Sequence, residues 1–77
     1  MIDPHGLIIF NTWSELQAHI AAGLPLWYQA PMDYRPVHIE AVLLPRTGNI
    51  RVFPPTDDAD PFVADVDHLP RFRRINL

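Results

Sequence analysis

The sequence predicts an α+β domain. It reads as a small curled antiparallel sheet of four to five strands, an SH3-like or OB-like partial barrel, with one α-helix packed on it. Three observations lead there. Two runs rich in branched side chains, Val37–Leu44 and Ile50–Phe53, flank a turn containing Gly48 and Asn49, which is a hairpin signal. Residues 12–25 carry start, stripe and stop signals of a short helix. Prolines sit at segment ends, so the strands between them are short and the sheet is bent.

Leu7-Ile8-Ile9-Phe10, after Gly6, reads as a strand buried on both faces. Asn11-Thr12 stops it. Thr12-Trp13-Ser14-Glu15 fits a capping box, in which the Thr12 hydroxyl accepts from the Glu15 amide and the Glu15 carboxylate reaches back to the Thr12 N–H. Trp13, Leu16, Ile20 and Ala21 then fall on one helical stripe, with Ser14, Gln17, Ala18 and Ala22 off it. Gly23 suits the left-handed residue past the last turn, and Pro25 prevents continuation. A helix of about ten residues is marginal by itself in water, so its stripe has to pack.

Leu26–Ala30 reads as a second strand, ended by Pro31. Residues 32–36 form a loop in which Pro36 biases Arg35 towards an extended conformation. In the hairpin, Val37, Ile39, Ala41 and Leu43 share one face of the first strand, and Ile50 and Val52 one face of the second. These sets meet only if opposed residue numbers sum to an odd value. A four-residue loop setting Leu43 opposite Val52 satisfies this, and so does a six-residue loop setting Leu43 opposite Ile50. A five-residue loop brings Arg51 onto the apolar face and is disfavoured. The opposite face carries His38, Glu40, Val42, Leu44, Arg51 and Phe53, a mixed set expected to be half covered by loops or a partner.

Residues 56–67 are acidic, with Asp57, Asp58, Asp60, Asp65 and Asp67. Asp60-Pro61 resembles an N-cap with proline at the first helical position, and Phe62, Val66 and Leu69 follow at helical spacing. One short helical turn is expected, with an extended segment from Phe62 as the alternative. Arg71–Leu77 alternates as a terminal strand or ordered tail. The interior is expected where the Trp13–Ile20 stripe meets Val37, Ile39, Leu43 and Val52.

At 77 residues there is room for one domain, 1–77, with one core. Cysteine is absent, so packing or self-association must supply the stability that disulfides give other small chains. No secretory pattern is visible, and the apolar run Leu7–Phe10 is too short to span a bilayer. A cytoplasmic protein without membrane association is the expectation. The net charge is −3, and all six cations are arginine.

Chemistry finds little purchase. The four histidines show no metal-ligand spacing. The acidic stretch lacks the spacing and turn glycine of a calcium loop, and its Asp side chains are better explained as turn caps. Ser14, the sole serine, opens a helix, and the three glycines are scattered. The expectation is a protein without catalytic activity, cofactor or bound metal. What remains is a protein-interaction module, a small adaptor or an inhibitor of a larger partner, or else self-association. Its candidate contact residues are Tyr28, Tyr34, Phe53, Arg71, Arg73 and Arg74, since aromatics and arginine anchor interfaces. The alternative is a nucleic-acid-binding module using Arg71, Arg73 and Arg74 with an aromatic platform of Trp27, Tyr28, Tyr34 and Phe53. The acidic balance of the whole chain weighs against it.

Overall fold

Residues 6–32, 34–55 and 60–75 are described by the computed structural model. His5, Asp33, Thr56, Asp57, Asp58 and the last two residues of the expected terminal strand lie outside the described residues. The elements are β1 (Leu7–Ile9), α1 (Trp13–Ala21), β2 (Leu26–Tyr28), β3 (Val37–Leu43), β4 (Ile50–Phe53), β5 (Phe62–Ala64), a 3₁₀ helix (Val66–Arg71) and β6 (Phe72–Ile75). The strands form one open antiparallel sheet in the order β1-β6-β2-β3-β4-β5.

The sheet has six strands where four to five were expected, and β5 is the addition. The extended alternative at Phe62 is the one adopted. Pairing Val52 with Phe62 and Ile50 with Ala64 lets both β5 side chains join the buried face, and Ala64 is fully buried. The helical turn therefore starts later. Asp65 caps it instead of Asp60, its Oδ1 accepting from the Asp67 N–H at 3.0 Å.

In α1 the cap forms as read: Thr12 Oγ1 accepts from the Glu15 N–H at 3.1 Å. The return bond differs by one residue, because Glu15 Oε2 accepts from the Asn11 N–H at 3.0 Å. At the other end the Gly23 N–H bonds to the Ile20 carbonyl and the Leu24 N–H to that of His19, a Schellman pair with Gly23 at φ +73°. Leu16 is fully buried, with Trp13 and Ile20 packed beside it. Ala21 is exposed, whereas Gln17 turns inward to a hydrogen bond with Gly48. At 3.6 residues per turn Gln17 lies about 100° from Leu16 and Ala21 about 140°, so the buried stripe reaches Gln17 first.

The hairpin adopts the longer of the two allowed loops. Leu43 opposes Ile50 and Ala41 opposes Val52, which leaves Arg51 on the outer face beside Val42. Leu44 and Asn49 close the loop through a 2.8 Å hydrogen bond, and the Gly48 N–H bonds to the Leu44 carbonyl. Leu16, Phe10, Leu26, Ile39, Ile50, Val52, Ala64 and Phe72 form one buried cluster between helix and sheet.

Two burial expectations are corrected. Val37 is 39% exposed. β3 pairs with β4 only from Glu40 onward, so its first residues have a neighbouring strand on one side alone. Ile9 is 53% exposed at the end of the edge strand β1.

Candidate interaction surface

Alternation places every second side chain of each strand on the face away from α1. The register then sets these side chains in rows across the sheet. Ile9, Arg73, Trp27 and His38 make one row. Ile75, Glu40 and Phe53 follow it, and Val42, Arg51 and Val63 form the next. Ile9, Val42, Phe53, Val63 and Ile75 are all exposed, and Trp27 is half-buried. Leu7, paired with Ile75 and so on the same face, is buried, which marks the corner of the face that is covered.

The rings here are held by neighbours on the same face. Trp27 meets His38 edge-on at a centroid distance of 5.3 Å. The Arg51 guanidinium stands 5.9 Å from the centre of the Phe53 ring, a cation–π contact two positions apart along β4. Beside it, His38, Ile39, Glu40, Phe53, Pro54 and Pro55 line a shallow depression of about 200 Å³. No ion pair to Glu40 or Arg51 forms among the described residues.

The six residues singled out from sequence do not converge. Tyr28 points to the core side, half-buried, edge-on to Phe62 at 5.4 Å and to Phe72 at 5.1 Å. Tyr34 stands 99% exposed in the loop between β2 and β3, near Met32 at 89%. Phe53 is the one aromatic of the three on the open face.

The arginines divide between two sides of the sheet. Arg73 lies on the outer face and donates to the Pro70 and Phe72 carbonyls, the latter at 3.1 Å. Arg74 lies on the helix side, its guanidinium 5.9 Å from the Phe10 ring centre and donating to the Ile75 carbonyl at 3.2 Å. Arg71 ends the 3₁₀ helix and shares with Arg73 a groove of about 280 Å³ lined also by Gln29, Pro31, Asp67 and Pro70. The cause is the two-residue period of a strand: consecutive residues 73 and 74 must leave opposite faces.

Residues of this surface beyond Phe53 were partly legible. Val42 was visible on the mixed face of the hairpin and Trp27 in the aromatic platform, but Ile9, Val63 and Ile75 were not. Their shared face follows from strands remote in sequence lying side by side, and no local pattern encodes that.

No three His, Asp or Glu side chains among the described residues are placed to hold a metal ion. No helix there is long and apolar enough to cross a membrane. His68 Nδ1 lies 3.0 Å from Asp65 Oδ1 and 3.2 Å from the Asp65 nitrogen, so this pair serves the 3₁₀ cap. No protein-family model matches the chain, and searches of curated proteins and of solved structures find no match either.

Proposed function

We propose that the chain is a non-catalytic protein-interaction module, and that it docks through the uncovered face of its sheet. One observation carries this reading. Ile9, Val42, Phe53, Val63 and Ile75 are exposed together on that face, with Trp27 among them. Single exposed apolar residues are ordinary, but several on one face of so small a molecule support reading that face as a docking surface. Arg51, Glu40 and His38 are interspersed and supply orientation. Tyr34 and Met32, at the loop between β2 and β3, offer a second apolar contact.

We read the sheet itself as an SH3-like or OB-like partial barrel. The support is β3, which pairs with β2 through Val37–Ile39 and with β4 through Glu40–Leu43, as a strand shared between two halves of a curled sheet does.

A photo-reactive amino acid at position 53, compared with one at Ser14 on the outer side of α1, tests the docking face. Cross-links from position 53 and none from position 14 are the expected result. Equal yields from both positions, or none from 53, would remove the reading.

A further inference from the structure

Resting on that docking surface, we propose its occupant: a second copy of this chain, held face to face about a twofold axis. The chain buries nine hydrophobic side chains among the described residues and has no cysteine for a disulfide. Small domains with so limited a core are commonly completed by association. A standard interface takes about 800 Å² from each partner, roughly one-seventh of the 5426 Å² this molecule exposes. Six strands at about 4.8 Å spacing make a face some 24 Å wide, and because most of them are only three or four residues long, the flanking loops have to join the contact to reach that area.

The charges on the face suit self-recognition. Glu40 and Arg51 sit on adjacent strands, one row apart, and neither has an ion-pair partner among the described residues. A twofold interface joins one patch to itself, so Glu40 of each copy can meet Arg51 of the other, giving two symmetric pairs. Sheets stacked at about 10 Å interdigitate their facing side chains. The 200 Å³ depression beside Phe53 gives an apolar side chain of the second copy somewhere to seat.

Light scattering of the full chain from about 1 to 100 µM tests this. The expected mass rises towards twice 8.8 kDa with concentration. Phe53→Glu should abolish the rise while circular dichroism remains unchanged. Glu40→Arg and Arg51→Glu should each weaken self-association roughly tenfold. Mixing those two variants should restore a dimer, because each then carries the charges the other lacks. A monomer at the highest concentration, a dimer indifferent to Phe53→Glu, or a mixture that stays apart would overturn the proposal. A monomer whose position 53 still cross-links to another protein leaves the docking surface standing with a different occupant. A monomer without such cross-links removes both.

Discussion

The indole Nε1 of Trp13 donates to the Gly48 carbonyl at 3.0 Å, tying the first turn of α1 to the hairpin loop 35 positions away. Gln17 Nε2 donates to the same oxygen at 2.8 Å. Two helix side chains one turn apart thus clamp one backbone carbonyl, and the helix cannot slide along the sheet without breaking both bonds. Trp13 also meets Phe72 edge-on at 6.4 Å, so the clamp is continuous with the core. Helix position and hairpin loop length are therefore coupled.

Gly48 is the most sensitive point of the clamp. Its φ is +75°, and a Cβ there would lie 3.0 Å from Gln17 Nε2. Gly48→Ala should cost about 1–2 kcal/mol by urea unfolding, from the left-handed conformation and the displaced amide together. At Gly23, where φ is +73°, an added Cβ would meet nothing within 4 Å. Gly23→Ala should cost about 1 kcal/mol and less than the change at Gly48. Equal costs at the two positions would mean that the clamp contributes nothing.

Trp13→Phe and Gln17→Ala each leave the Gly48 oxygen one donor. Each should cost about 0.5–1.5 kcal/mol, beyond packing lost at Trp13. The double variant should lose more than the sum, because only then is a part-buried carbonyl left without either donor. A double-mutant cycle in urea measures the excess, and strict additivity would dissolve the coupling.

Phe72 is fully buried where β6 meets the helix. Phe72→Ala should cost about 3–5 kcal/mol, a large part of the stability of a chain this size. Tyr34→Ala, at a 99% exposed side chain, should leave the unfolding midpoint unchanged. Thermal unfolding of the pair checks the assignment of inside and outside.

Thr12→Ala should cost about 1 kcal/mol, and Thr12→Ser should restore nearly all of it, because the hydroxyl bond to the Glu15 N–H is the contribution. Helical ellipticity against temperature reads both variants.

Single-stranded nucleic acid should not shift in a mobility assay, even at about 50 mM salt. Arg74 leaves on the helix side, while Arg71 and Arg73 line one groove that Asp67 also lines, so the three form no continuous basic track. Tight binding that weakens steeply with salt would reinstate the nucleic-acid reading.

Local features of the fold were readable wherever their cause lies within a few residues. The Thr12 cap, the Gly23 stop and the odd-sum rule that keeps Arg51 off the apolar face all follow from side chains near in sequence. The same reasoning misjudged Asp60-Pro61, whose capping pattern yielded to β5. Pairing Phe62 and Ala64 against β4 buries more than a free helical turn would.

The amino-acid order by itself determined the helix limits, the strand faces and the two permitted hairpin loops, because capping and alternation act over four residues or fewer. Tertiary structure alone decided that the six-residue loop wins, that β6 inserts between β1 and β2, and that Ile9, Val63 and Ile75 share an open face. Those outcomes depend on which remote segments bury the most apolar surface together, a property of the assembled sheet that no short segment contains.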